Sequence, residues 1–538
     1  MVGGVLATLL SATLAGITGH PVRVEVDVAP GLPGFTIVGL PDAALSEARE
    51  RVRGALRNAG FHHPPRRITV NLAPAELRKA GASLDLAIAV GILLGSEQLR
   101  ADPGQIALVG ELGLGGEVRP VPGVLPMGLA LARTGVRRVV VPADAAEEAG
   151  LVPRLEVVGV ASLAEAAGAL RARSSRRRLP APLPRADVVA AADPRSRALP
   201  REVGPHRPAD PPVAPGPETI DLAEVRGQAV ARRALEIALA GSHAMLLVGP
   251  PGAGKTLLAR TIPGLLPDLD DDAALAATVI ASVAGGEPVR SLIRRPPVRA
   301  PHHTVSYAGM VGGGPRLSPG EVTLADQGVL VCDELPEFGR DVLEALRQPL
   351  EEGSVAVVRV GRAAVFPARF TFVAAMNPCP CGNDGAADRA CSCPPGLPQR
   401  YRRRISGPLR DRIDLWVRVD RVPAAILVAG PSPEPSAAVA ARIGAARDRQ
   451  RERGADRPNG RLQGRRLRQA CGLGPQEIAR AVTLAEREGL SGRGTERLLR
   501  VARSIADLEG ADRVRAAHLD EAARFRAPVD STHVAESA

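Results

Sequence analysis

Lysine is nearly missing from this chain. Of its 69 basic residues only two, Lys79 and Lys255, are lysines. Aromatic residues are equally scarce at 2%, with one tryptophan and two tyrosines, which argues against a single-strand channel built by stacking bases on rings. Six cysteines in 538 residues do not make a disulfide scaffold. One stretch near the start, "VLATLLSATLAGITG", has the apolarity of a leader core. No Lys or Arg precedes it, Ser, Thr and Gly break it, and it runs into "VRVEVDV", which alternates as a strand does. These absences lead to the expectation of a cytoplasmic protein with no membrane partner.

What is present belongs to a globular protein: 45% hydrophobic residues and a length that predicts two or three domains. Residues 1–170 mix strand and helix patterns, and 171–217 form a Pro/Arg-rich linker. A second α/β region covers 218–422, and helical patterns fill 423–538. The formal charge of +11 suggests a polyanionic partner, although part of the excess sits in the linker run "RARSSRRR".

The strongest signal is "MLLVGPPGAGKTLLAR". A buried apolar strand leads into Gly249, Pro250, Pro251, Gly252, Ala253, Gly254, Lys255 and Thr256, the complete G-x-x-x-x-G-K-[ST] pattern, and a helix follows. Glycines let backbone N–H groups close on phosphates at a helix N-terminus. Lys255 neutralises the β- and γ-phosphates of ATP and Thr256 holds Mg²⁺ in this reading. The apolar strand of "GVLVCDELPEF" then supplies Asp333 for the Mg²⁺ shell and Glu334 to polarise the attacking water. A third strand, "ARFTFVAAM", ends beside Asn377, placed to hold that water near the γ-phosphate.

Several long motifs, "RAPHHTVSYAGMVGGG", "PGEVTLADQGVLVCDELPEF", "LEALRQPLEEGSV", "ARFTFVAAMNPCPCG" and "ISGPLRDRIDL", resemble the ComM/YifB family of magnesium-chelatase-like AAA+ ATPases. The likeness extends over nearly the whole chain, with "VEVDVAPGLPGFTIVGLPDAALSEARERVRGAL" similar to the family's first domain and "LSGRGTERLLRVARSIADLEG" to its C-terminal helical lid. It implies a multidomain α/β fold: a Lon-protease-like (S5-type) α+β domain, an AAA+ P-loop core and a helical lid. It also implies a homo-hexameric ring with nucleotide between subunits. Arg412 of "DRIDL" then takes the arginine-finger role, with Arg410 as the alternative, and Arg493 the sensor-2 role, with Arg497 as the alternative. Proteins similar to this one are DNA motors, and the implied partners are single-stranded or branched DNA, bound without sequence preference, and recombination proteins. Branch migration in homologous recombination or natural transformation is the implied activity. A chelatase-type remodeller of a protein or tetrapyrrole partner is the competing reading, and an ATP-regulated scaffold a third. The segment from Ala300 to Glu321, with Arg316 and the His302–His303 pair, is a candidate pore element or a buried structural loop.

Two features remain. Cys379-x-Cys381 and Cys391-x-Cys393 lie within fifteen residues, enough to close a tetrahedral, structural Zn²⁺ site, with reduced thiols or redox-switch disulfides as alternatives. Cys332 and Cys471 read as core residues. In the first domain, Ser83 invites comparison with the Ser–Lys peptidases of the Lon type. No lysine occurs between Lys79 and Lys255, so the dyad cannot form in that family's order. Ser83 is expected instead to cap the helix "LDLAIAVGILLG", in a domain that binds DNA or organises the ring.

Overall fold

A computed structural model describes residues 5–79, 81–171, 219–314, 317–359, 362–386, 389–454 and 457–526. The linker expected over 171–217 lies outside them apart from Arg171, as does Arg316.

The first domain is built on a seven-stranded mixed sheet. The leader-like stretch is one of its strands, Val5–Ala15, which turns back at once into the antiparallel strand Thr18–Ala29. Alternation along "VRVEVDV" works as period-2 patterning requires: Val22, Val24, Val26 and Val28 are buried, and Glu25 on the other face accepts a hydrogen bond from Asn71 Nδ2 at 2.8 Å. The helix Asp85–Gly95 is apolar on every side and buried against this sheet, as an all-round hydrophobic helix must be.

Ser83 does not cap that helix. The N-cap position is Leu84, without a side-chain bond, and Ser83 Oγ donates to the Ala12 carbonyl at 3.0 Å. The buried hydroxyl is spent fastening the turn to the strand Val5–Ala15. Lys79 is fully buried and its ammonium donates to the Pro74 carbonyl. Lys79 and Ser83 thus bond to separate backbone carbonyls.

The second unit carries a five-stranded, all-parallel sheet in the order Val298–Arg299, Val329–Cys332, Thr371–Met376, Met245–Val248, Leu415–Arg418. Its three central strands are buried at every position, because helices cover both faces of a parallel sheet. Cys332 lies in this core, where burial pushes its thiol pKa up.

The two domains touch at a buried carboxylate. Glu148 accepts from Leu125 N at 2.9 Å and from Ser282 Oγ at 2.6 Å, and Ser282 lies on the helix Asp271–Ala284 of the second unit.

Five longer helices follow: Ser436–Glu452, Gly464–Cys471, Pro475–Arg487, Gly492–Leu508 and Ala516–Arg524. They pack onto the parallel-sheet unit in one shared core that includes Cys471. His243 ties the two parts, reaching Asp414 Oδ2 at 3.1 Å and Ser504 Oγ at 2.7 Å. Inside the helical part, the buried Asp507 carboxylate meets Arg503 at 2.8 Å, Arg453 at 2.7 Å and Asn459 at 2.7 Å. Removing one partner of such a group strands buried charge, at about 3–5 kcal/mol. Asp507→Ala is therefore expected to lower the melting temperature sharply in calorimetry, and an unchanged transition would refute this account of the network.

Candidate nucleotide site

Parallel register brings the candidate residues together. Val248 pairs with Met376, and Cys332 with Ala374, so the carboxyl ends of three neighbouring strands release the Gly249 loop, Asp333 and Asn377 side by side. Open α/β sheets bind ligands at that edge. The cleft there measures about 370 Å³ and is lined by Pro251 to Leu257, Asp333, Glu334, Met376 and Asn377.

The loop has the shape of a phosphate cradle. Gly254 sits at φ 91°, a left-handed conformation that a side chain would strain, and a Cβ there would meet nothing within 4 Å. That empty space opens at the N-terminus of the helix Lys255–Leu265, where backbone N–H groups and the helix dipole favour anions. Lys255 Nζ donates to the carbonyls of Gly249 at 2.7 Å and Pro250 at 2.9 Å, and to Asn377 Oδ1 at 3.1 Å. Burial pushes the Lys255 pKa down, against the pull of the Asp333 and Glu334 carboxylates. A phosphate would supply the anion this ammonium lacks.

Thr256 Oγ1 donates to Asp333 Oδ2 at 2.6 Å, joining two oxygen groups of the kind that ligate Mg²⁺. Glu334 stands at φ 51°, a conformation that costs a non-glycine residue about 1–2 kcal/mol. Such strain persists where the surroundings impose it. Its backbone N–H donates to Asp333 Oδ1 at 2.9 Å, and its carboxylate lies 3.6 Å from His303 Nδ1.

Two candidates lie elsewhere. Neither Arg412 nor Arg493 lines the cleft. Arg412 donates to the Pro408 carbonyl at 2.6 Å and pairs with Glu351, and Arg493 approaches the same carboxylate at 4.0 Å. These arginines pull the Glu351 pKa down, Arg412 most strongly. Their alternatives are otherwise engaged: Arg410 stacks over Trp416 at 5.5 Å, and Arg497 is buried, 3.8 Å from Asp411. The four clustered cysteines converge, with all four Sγ atoms within 4.8 Å of one another.

Sequence reasoning missed two contacts here. The sequence places His303 in a candidate pore element or structural loop with no tie to Glu334, and Glu351 stands unremarked in "LEALRQPLEEGSV". Neither residue type at its spacing carries a signal, since each finds its partner only through the fold.

No helix among the described residues is long and apolar enough to cross a membrane. Residues 24–145 match the family described as subunit ChlI of Mg-chelatase, 221–427 match magnesium chelatase, subunit ChlI, and 433–526 match the C-terminal part of that subunit. The YifB protein of Escherichia coli is 41% identical over 515 residues, covering 95% of both chains. The competence protein ComM of Haemophilus influenzae is 40% identical over 526 residues, 97% of this chain and 98% of the relative. A Mycobacterium tuberculosis protein is 41% identical over 513 residues, 94% of this chain and 95% of its own. With identity of this order sustained from end to end, the chain belongs to the ComM/YifB family of magnesium-chelatase-like AAA+ ATPases.

Proposed function

We propose that this protein is an ATP-hydrolysing ring motor acting on DNA, a branch-migration helicase or translocase of homologous recombination or natural transformation. The observation that carries the ATPase half is the convergence of Lys255, Thr256, Asp333, Glu334 and Asn377 on one cleft at the end of a parallel sheet. In this reading Lys255 and the loop N–H groups hold the β- and γ-phosphates, Glu334 takes the proton of the attacking water, and Asn377 orients that water. Thr256 and Asp333 would hold Mg²⁺, which offsets charge on the phosphate oxygens. Arg412 and Arg493, set apart from their own cleft, serve the nucleotide of the neighbouring subunit in a homo-hexamer.

Three things support DNA as the client: the similarity to a protein named for competence, the net charge of +11, and exposed arginines such as Arg400 and Arg403, a few residues past the cysteine cluster in the chain. With few aromatic residues, contacts are to phosphates and independent of sequence. The first domain, Lon-like in architecture and without peptidase chemistry, organises the ring or adds DNA contacts.

The test is ATP hydrolysis by the full chain without DNA, with single strands and with branched junctions. A low basal rate raised by DNA is expected. Apparent affinity for single strands should fall with salt, by roughly 50-fold between 50 and 200 mM if about four phosphates are neutralised. A rate indifferent to every DNA would overturn the motor reading and favour chelatase-type remodelling of a protein partner, which the family description keeps in view.

A further inference from the structure

The cysteine cluster sits against the phosphate loop. Cys379 Sγ lies 3.3 Å from Cys381 Sγ and 3.7 Å from Cys391 Sγ, and Cys381 and Cys391 are 3.5 Å apart. Thiolates 2.3 Å from one tetrahedral zinc stand about 3.8 Å from each other. Those three sulfurs stand close to that spacing, Cys393 Sγ lies within 4.8 Å of each of them, and all six cysteines of the chain are free. Asp384 N–H donates to Cys379 Sγ at 3.3 Å, the outer-shell contact that a metal-bound thiolate accepts. Four thiolates leave no open position, so such an ion has no catalytic role.

The segment from Asn377 to Gly385 is pinned at several points. Asn377 receives the Lys255 hydrogen bond. Gly382 turns at φ 81°, and a Cβ on it would lie 2.3 Å from Pro251 Cδ in the phosphate loop. Arg402 donates to Asp384 Oδ2 at 2.5 Å and to the Pro378 carbonyl at 3.4 Å. Arg418, on the strand beside Met245–Val248, donates to the Gly385 carbonyl. No regular secondary structure spans residues 377–386, so backbone ladders do not hold this shape.

We propose that Cys379, Cys381, Cys391 and Cys393 bind one Zn²⁺, and that the ion braces the nucleotide site by fixing Asn377 on one side and Pro251 on the other. The second half rests on the nucleotide reading above; the first does not. Zinc here replaces the missing secondary structure. A loop that must touch the phosphate cradle without a Cβ at Gly382 needs a rigid backbone, and the metal supplies it.

Metal analysis of the full-length protein should find one zinc per chain. Less than half an equivalent, or a mass showing paired cysteines oxidised to disulfides, overturns the metal site. Replacement of zinc by Co²⁺ should produce the visible bands of a tetrahedral tetrathiolate, and their absence has the same force. For the brace, nucleotide affinity is read with a fluorescent ADP analogue. Removing zinc from the folded wild type by chelation should weaken binding at least fivefold, reversed by added Zn²⁺. Gly382→Ala should keep its zinc yet weaken binding by a similar factor, because its methyl group displaces Pro251. Unchanged affinity in both experiments sinks the brace and leaves the zinc count standing. A wild type that holds zinc but binds no nucleotide would instead sink the nucleotide reading.

Discussion

Glu334→Gln is expected to bind ATP and nearly cease to hydrolyse it. The amide has the size of the carboxylate, so the cleft keeps its shape, but it cannot take a proton from water. General-base catalysis contributes about 10²–10⁴-fold, and kcat should fall by that amount. Affinity should stay within a few-fold, because in the proposed reading Lys255 and the loop N–H groups hold the phosphates and Glu334 does not. Lys255→Ala separates the two roles, losing affinity as well as rate. Single-turnover rates and the Kd of a non-hydrolysable analogue measure each. Residual hydrolysis within tenfold of wild type would remove Glu334 from the chemistry, and its strained φ of 51° would then need another explanation.

Arg412→Ala should cost as much or more. An arginine supplied to the transferring phosphoryl group is worth about 10³–10⁵ in kcat, and nucleotide affinity of the isolated chain should be untouched, since Arg412 does not line its own cleft. The decisive measurement mixes two dead proteins. Rings assembled from Arg412→Ala and Lys255→Ala chains contain some interfaces where an intact phosphate loop faces an intact Arg412. Those interfaces should recover measurable ATPase. If every mixture stays inactive although mixed rings form, the arginine does not act between subunits. Within one chain Arg412 rests on Glu351, so ring assembly in this account exchanges a carboxylate for a neighbour's phosphate.

The nucleotide loop was legible because its residues are contiguous and bounded by an apolar strand and a helix. Asp333 and Asn377 could be read at a distance because each directly follows a short, largely apolar and fully buried strand, a pattern that a buried parallel sheet imposes. The helical periodicity of the C-terminal region was similarly plain. Other features depend on contacts between distant segments. Val5–Ala15 is held as a strand by its pairing with Thr18–Ala29 on one side and with Ile106–Leu108 on the other; alone, its run of Leu, Ala, Thr and Ser has the apolarity of a leader core. Ser83 looked like a cap because the nearby carbonyl of Ala12 comes from 71 residues earlier in the chain. The approach of Gly382 to Pro251 and the sharing of Glu351 by two arginines are likewise invisible in one dimension. Local chemistry reads from sequence; side-chain partnership across the sheet does not.

Both lysines are inside: Lys79 is fully buried and Lys255 is 8% exposed, at the floor of the cleft. Every side-chain cation that the outer surface presents, histidine aside, is therefore a guanidinium. Arginine stays protonated at any cellular pH, whereas enzymes that acylate lysine side chains find none on that surface. The field that an anionic partner meets is in this respect hard-wired. Acid and acetyl donors cannot dim it, and ionic strength is the one ordinary variable left to set its reach.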